Sequence, residues 1–198
     1  MEFSQVVRSR RMVRQFAPEP LPEEVLQRVL ESALHAPSAG FAQGTELVLL
    51  DRPDQIAEFW RITDPKRRKR RASEGDPPVL VVPLADKSAY FRRYSEPDKQ
   101  GLGMDVEEGW PVPYWELDTA MAVMLMLLAA VDEGLGAWYF GIFHGESQLL
   151  QWLGAPAGRP IGAVALGYPS PVEKARGSAL SRERRSLDDV VHRPAWPR

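Results

Sequence analysis

Cysteine is absent from this 198-residue chain. Its absence excludes disulfides, thiolate metal ligands, iron–sulfur clusters and thiol nucleophiles. Redox chemistry on this chain would therefore need a bound cofactor. The three histidines, His35, His144 and His192, are too far apart in the sequence to form a local metal-binding motif, so no metal site is expected.

Long hydrophobic runs are also missing. The longest, residues 120–131, lies between Asp118 and Asp132. A helix that crosses a bilayer needs about 20 apolar residues, so this run predicts a buried core helix and no membrane partner. The first residues lack the basic and then apolar pattern of a secretory signal, so we expect a cytoplasmic protein.

The chain has little net charge, with a formal value of −2. This value gives no global basic field of the kind that attracts nucleic acid, and no nucleic-acid partner is expected. The motifs GxGxxG, GxxxxGK[ST] and GxSxG are missing, which argues against a dinucleotide-binding Rossmann unit, a P-loop and a serine hydrolase. A local exception to the charge balance is the basic run at residues 66–71, which could steer an anionic electron donor or contact RNA.

The length of the chain and its 44% hydrophobic content predict one domain over residues 1–198. Helical and strand patterns are mixed along this domain. Residues 92–116 have no periodicity, so they predict a long loop that could cover a substrate. From Pro169 onward the chain is polar and proline-rich, and we expect this tail to pack on a partner subunit. The apolar spacing predicts helices near residues 3–7 and 22–36, after Pro53 and at 118–133, and strands at 46–50, 79–82, 137–143 and 161–166.

Three arginines, Arg10, Arg11 and Arg14, lie within five residues and are followed by Phe16. The guanidinium group is a planar fork of hydrogen-bond donors that suits a phosphate. A solvated helix end would explain the same cluster. The small residues 38–40 and the aromatic residues 138–140 have the character of a pocket for a flat, largely apolar ring, although an ordinary core strand would also explain residues 138–143.

The sequence RRMVRQF at residues 10–16 resembles the RRSxRxF signature that opens flavoproteins of the nitroreductase family. Residues 36–44, APSAGFAQG, resemble the family's APSxxNxQPW segment. Residues 118–136 are similar to its central helix and following glycine turn, and residues 167–169 and 182–187 to its closing elements. Three residues depart from the pattern: Met12 replaces the usual serine, Phe41 the usual asparagine and Gly44 the usual proline.

The resemblance implies an α+β fold with a mostly antiparallel central sheet surrounded by helices, in an intertwined homodimer with an extended C-terminal arm and two FMN sites at the interface. It also implies a ping-pong reaction in which NAD(P)H reduces the flavin and a nitroaromatic, a quinone or a similar electron-poor small molecule then takes the electrons. Flavin N5 would carry the chemistry, and no residue is singled out as a catalytic acid.

The resemblance assigns the site residue by residue. Arg14 would place positive charge near the pyrimidine edge of the flavin, and Arg182 and Arg184 would close on the phosphate from the other end of the chain. The whole set expected to contact FMN is Arg10, Arg11, Met12, Arg14, Pro37, Ser38, Ala39, Gln43, Phe140, Gly141, Ile142, Arg182 and Arg184. The residues expected to line the substrate are Phe41, Trp110 and Tyr114.

The sequence alone leaves other functions open. The same superfamily includes branches that remove halogens reductively or destroy the flavin itself. A non-catalytic protein that binds or stores flavin would need the same phosphate contacts. A nucleic-acid module that uses residues 66–71 would instead be colourless and would bind with a steep dependence on salt.

Overall fold

A computed structural model describes residues 1–66, 75–155, 158–174 and 178–193, so most of the basic run at 66–71 lies outside the described residues. Short 3₁₀ turns lie at Ala39–Phe41, Glu107–Gly109 and Ser178–Leu180. The main elements are α1 (Phe3–Ser9), α2 (Glu23–Ala33), β1 (Thr45–Leu50), α3 (Pro53–Thr63), β2 (Val79–Ala85), α4 (Lys87–Tyr94), α5 (Tyr114–Asp132), β3 (Gly136–Phe140), α6 (Glu146–Leu153), β4 (Arg159–Pro160) and β5 (Ala163–Gly167).

The strands form one sheet in the order β1-β2-β5-β3, with the short β4 paired to the end of β2. All of these pairings are antiparallel. All seven residues of β2 are buried, as expected for a central strand covered on both faces. The structure therefore confirms the α+β class with an antiparallel sheet surrounded by helices.

Alternate side chains of β2 enter two hydrophobic layers, because successive residues of a strand point to opposite faces of the sheet. Val79 and Val81 pack with side chains of α2 and α5. Leu80 and Val82 pack with side chains of α3 and α6. The sheet thus separates two layers of helices, and α5 forms the centre of the first.

Helix α5 begins at Tyr114, four residues earlier than the sequence predicts. It has the length and the apolar composition of a membrane span. Those two properties do not distinguish a span from a core helix, and here Ala122, Met126 and Ala130 are fully buried against α2 and the sheet. The prediction of a core helix fits this packing.

Several predicted boundaries are wrong. Residues 92–116 contain the end of α4, a 3₁₀ turn and the start of α5 instead of one long loop. The strand predicted at 137–143 ends at Phe140, and α2 ends at Ala33 instead of near residue 36. The strand predicted at 161–166 begins only at Ala163, as β5, because Gly162, with φ of 146°, separates it from the short β4.

Candidate functional site

The arginine segment, residues 10–17, lies along the edge of the sheet beside β3. Met12 forms a parallel bridge with Ala137, and the Val13 N–H donates to the Ala137 carbonyl at 2.9 Å. The Tyr139 N–H points to the Met12 sulfur, with 3.4 Å between nitrogen and sulfur. Met12, which replaces the family's serine, thus accepts a weak hydrogen bond and holds the segment to the strand.

Two glycines make room for the arginine segment. A Cβ on Gly136 would lie 2.7 Å from Cγ1 of Val13, and a Cβ on Gly167 would lie 2.9 Å from Cδ1 of Phe16. Real Cβ atoms do not approach other atoms this closely, so a side chain at either position would push the segment away from the sheet. The glycines at the start of β3 and at the end of β5 therefore have a packing role that the sequence pattern alone did not reveal.

The three arginine side chains have different surroundings. The Nη1 atom of Arg10 is buried and has no hydrogen-bond partner among the described residues. The guanidinium carbon of Arg14 lies 5.9 Å from the centre of the Trp138 ring, within cation–π range. Arg11 is half-exposed, and its Nη1 lies 3.6 Å from a carboxylate oxygen of Glu173.

A buried guanidinium nitrogen without a partner is unfavourable, by about 1–3 kcal/mol or more for a charged group. An anion that reached Arg10 would remove this penalty. The cluster of Arg10, Arg11 and Arg14 can therefore act as a receptor for a phosphate or a similar group.

The second predicted segment is a tight loop, residues 37–43. Gly40, Phe41 and Gln43 all have positive φ, at 59°, 58° and 52°. For residues with a side chain this left-handed conformation is unfavourable and persists only when the surrounding structure holds it. The Gln43 N–H donates to the Ser38 hydroxyl at 3.0 Å, and the Arg93 guanidinium donates to the Gly40 carbonyl at 2.8 Å. Phe41 projects outward and is 70% exposed.

A buried carboxylate in α5 anchors this loop to the core. One oxygen of Asp118, Oδ2, accepts the Ala39 N–H at 2.8 Å and the Tyr90 hydroxyl at 2.7 Å. Both Asp118 and Tyr90 are buried. Burial, together with the neighbouring Asp118 carboxylate, raises the pKa of Tyr90, so its hydroxyl remains a donor. The sequence did not identify Asp118 and Tyr90 as partners. An aspartate beside an apolar helical run was the one feature that could have indicated a buried carboxylate.

The Phe140 ring packs against the hydrophobic layer formed by α3 and α6. Its ring stacks on Trp60 at 5.2 Å between centroids and lies 4.4 Å from the Trp138 ring. The chain then leaves the sheet, with Gly141 exposed and Ile142 partly buried. The predicted contacts of these three residues with a flat ligand stay a prediction.

Trp110 belongs to a buried aromatic cluster with Tyr90, Tyr94, Tyr114 and Trp115. Its indole N–H donates to the Met104 carbonyl at 2.7 Å, which ties the preceding loop to the core. A cavity of about 550 Å³ lies beside Trp110 and Trp115, with Lys87 and Arg159 at its rim. Trp110 therefore has a packing role, and its predicted contact with substrate stays a prediction.

Arg182 and Arg184 are exposed in the part of the tail that the structure describes. The Arg182 N–H donates to the Ser178 carbonyl at 2.9 Å, just after the 3₁₀ turn Ser178–Leu180. Within the described ranges, no hydrogen bond or ion pair links these two side chains to the arginine segment of the same chain. Their predicted approach to a shared phosphate stays a prediction.

The anchor between Tyr90 and Asp118 can be tested by Tyr90→Phe, with Tyr94→Phe as the matched control. Removing the Tyr90 hydroxyl leaves buried Asp118 with one donor fewer and should lower the free energy of unfolding by about 1–3 kcal/mol. Because the pKa of Tyr90 is raised on folding, its stabilisation is complete below about pH 10 and is lost progressively as the pH rises above that value. Urea unfolding from pH 7 to 11 should therefore show a smaller alkaline loss of stability in Tyr90→Phe. An equal effect of Tyr94→Phe would contradict the assignment.

Known proteins resemble this chain over most of its length. The Nitroreductase family model matches residues 7–168. A Thermus thermophilus protein named NADH dehydrogenase is 30% identical over 186 residues, which cover 81% of this chain and 83% of that protein. The residues matched by the family model include both the arginine segment and α5, so the match is not confined to one motif.

Solved structures share the fold at low sequence identity. A nitroreductase family protein from Streptococcus pneumoniae aligns with a TM-score of 0.72 and 19% identity, covering 97% of this chain and 100% of that chain. A Desulfovibrio desulfuricans protein crystallised in complex with FMN aligns with a TM-score of 0.71 and 21% identity, covering 100% and 99%. Together with the family model, these relationships show that the chain belongs to the nitroreductase family.

Proposed function

We propose that this chain is an FMN-dependent oxidoreductase that uses NAD(P)H to reduce nitroaromatic, quinone or similar electron-poor small molecules in the cytoplasm. One observation carries the proposal: the buried Nη1 of Arg10, which has no hydrogen-bond partner among the described residues, lies in the same segment as Arg11 and Arg14. This arrangement fits the phosphate of FMN. The Desulfovibrio relative with bound FMN supports the same choice of cofactor.

The charge of the segment matches the proposed ligand. A phosphate monoester carries close to two negative charges at neutral pH, and hydrogen bonds to charged groups are stronger than neutral ones. Arg10 and Arg11 would neutralise this charge from one side, and Arg182 and Arg184 from the C-terminal tail would do so from the other. Arg14, which is held over Trp138, would supply the positive charge at the pyrimidine edge.

The remaining predicted contacts come from positions that allow close approach. Pro37, Ser38, Ala39 and Gln43 belong to the anchored tight loop, whose backbone is held by Asp118 and Ser38. Met12 lies beside β3, and the backbone of residues 140–142 leaves the sheet nearby. Exposed Phe41 offers an aromatic face to a planar acceptor.

When bound, FMN would supply the two-electron chemistry of a ping-pong reaction, with NAD(P)H as the hydride donor and the small molecule as the acceptor. The protein would bind the cofactor, orient it and shield it from water. The arginines would neutralise the negative charge of the cofactor, and the tight loop would cover one side of it. No side chain is assigned as the proton donor.

We also propose that the working form is a homodimer. Leu117, Met121 and Met124 are exposed on α5 at positions i, i+4 and i+7, so they form one apolar stripe along the helix. Phe3 and Val7 of α1, a helix that contacts α5, are exposed as well. Contiguous apolar surface of this kind marks a protein interface, and a second copy would bury the stripe.

The tail supports the same assembly. Its apolar side chains, Val172, Leu187, Val190 and Val191, are exposed in the single chain. Leaving them in water forgoes hydrophobic stabilisation of about 25 cal/mol per Å². Packing of the tail on the partner, as an arm, would bury them.

The cofactor assignment predicts a yellow protein. The purified chain, or the chain reconstituted with FMN, should show flavin absorbance that bleaches when NADH or NADPH is added without oxygen. The colour should return when a nitroaromatic or a quinone is added. A flavin that neither nicotinamide reduces would point to storage, whereas a chain that binds no FMN would end the proposal.

The phosphate assignment predicts a large effect of Arg10→Ala combined with Arg184→Ala. Each lost hydrogen bond to a charged group is worth roughly 1.5–3 kcal/mol, so the dissociation constant for FMN should rise by about 100-fold or more. Fluorescence titration with FMN measures this change. The matched control is Arg8→Ala with Arg185→Ala, which removes two neighbouring exposed arginines and should leave the affinity within about threefold. Unchanged affinity in the first variant would refute the assignment.

The dimer proposal predicts dissociation when the stripe on α5 is charged. Met121→Glu combined with Met124→Glu would place two carboxylates in the apolar contact, where burial of a charge is strongly unfavourable. Sedimentation velocity should show a dimer for the unaltered chain and a monomer for the variant. Leu34→Glu, at a site that is 75% exposed and outside the stripe, should leave the dimer intact. A wild-type monomer that binds FMN would refute the interface.

A further inference from the structure

Glu173 is a buried carboxylate that the proposed function does not use. Its side chain is only 1% exposed. One oxygen accepts the Gln15 N–H at 2.9 Å, and the other accepts the Arg14 N–H at 3.3 Å. The same second oxygen lies 3.6 Å from Nη1 of Arg11. Glu173 therefore contacts the backbone of one arginine and the side chain of another.

The chain after β5 is folded so that this carboxylate returns to the arginine segment. The Ala17 N–H donates to the Tyr168 carbonyl at 2.9 Å, and the Ser170 N–H donates to the Gln15 carbonyl at 3.0 Å. Between these bonds, Phe16 and Pro169 form an antiparallel bridge.

A turn then completes the contact. The Glu173 N–H donates to the Ser170 carbonyl at 2.9 Å, which reverses the chain and directs the Glu173 side chain back toward Gln15. The backbone of residues 15–17 and the turn at 170–173 thus hold each other through hydrogen bonds from both sides.

Such contacts restrict the arginine segment strongly. A carboxylate that accepts backbone N–H groups makes stronger hydrogen bonds than a neutral acceptor. Its burial makes these bonds costly to break, because the charge would lose its partners inside the protein. Two successive backbone N–H groups are held, so the direction in which Arg14 leaves the main chain is defined. Arg11 is drawn to the same carboxylate at the other end of the segment.

We propose that Glu173 is a positioning residue that pre-organises Arg11 for the phosphate-bearing end of the cofactor. The inference rests on the proposed function, since it concerns the same site. Glu173 acts through the Arg11 side chain and the backbone of residues 14–15, and makes no contact with the ligand itself. Ordering the cationic groups before binding lowers the conformational entropy lost when the phosphate arrives.

The negative charge of Glu173 has an opposite, weaker effect. A carboxylate near a phosphate repels it, so removal of the charge alone would tighten binding. Here the carboxylate oxygens are already bound to two N–H groups and lie near Arg11, which reduces the field that reaches a ligand. Positioning should therefore outweigh repulsion.

The test compares FMN with riboflavin, which has the same ring system but no phosphate. In Glu173→Ala the dissociation constant for FMN should rise by about tenfold or more, because at least one charge-assisted hydrogen bond that orders the arginines is lost. The dissociation constant for riboflavin should change by less than about threefold. Fluorescence titration of both ligands, with the melting temperature of the ligand-free protein, gives the comparison.

The control is Glu19→Ala, which removes an exposed acid close to the same segment and should change neither ligand's affinity. Glu173→Gln keeps the shape of the side chain and one acceptor oxygen, so its loss of FMN affinity should be smaller than that of Glu173→Ala but still specific to FMN. This variant also gives a result if Glu173→Ala does not fold.

Three outcomes would overturn the inference. They are an unchanged ratio of FMN to riboflavin affinity in Glu173→Gln, a parallel loss of both affinities, and tighter binding of FMN by either variant. Failure of the unaltered chain to bind FMN would instead overturn the proposed function. The two failures are therefore distinguishable.

Discussion

The candidate site depends on how the arginine segment is attached to the sheet. Residues 12 and 13 pair with β3, and residues 15–17 pair with the chain that follows β5. β3 and β5 are neighbours in the sheet, so the segment is held at both of its ends by adjacent strands. Without this attachment the three arginines would be separate cations on a mobile chain, and the entropy of ordering them would oppose ligand binding.

The same attachment explains two parts of the family resemblance in physical terms. Gly136 and Gly167 lie where Val13 and Phe16 approach the sheet too closely for a side chain. Phe16 is buried at the far end of the segment, so it acts as the apolar anchor for the cationic residues before it. The arginines, the glycine turn after α5 and the closing glycine are therefore one structural unit, although they are distant in the sequence.

A second constraint comes from the centre of the molecule. Asp118, in the buried helix α5, holds Ala39 of the tight loop and the hydroxyl of Tyr90. The loop keeps three residues at positive φ, and its hydrogen bonds to the core offset that strain. Gly44 fits the same region, because a Cβ there would lie 2.6 Å from the Tyr90 ring. This replacement of the family's proline therefore has a local steric reason.

The sequence by itself determined the core helix, the arginine segment and the small-residue loop, and the family resemblance that these segments carry implied the α+β class. These features are encoded locally, in apolar periodicity and in short runs of residues that share one chemical property. It misplaced the end of β3, and it treated residues 92–116 as one loop. Gly141 and the backbone turn into α6 end the strand, and the aromatic cluster around Trp110 orders the loop.

Only the tertiary structure decided which distant residues meet. The contact of Glu173 with Arg11, Arg14 and Gln15 joins residues about 160 positions apart, and that of Asp118 with Ala39 and Tyr90 joins three separate elements. Neither carboxylate lies in a local pattern that marks it as a partner of those groups. A buried charge acquires its role from the donors that surround it, and those donors are brought together only when the chain has folded.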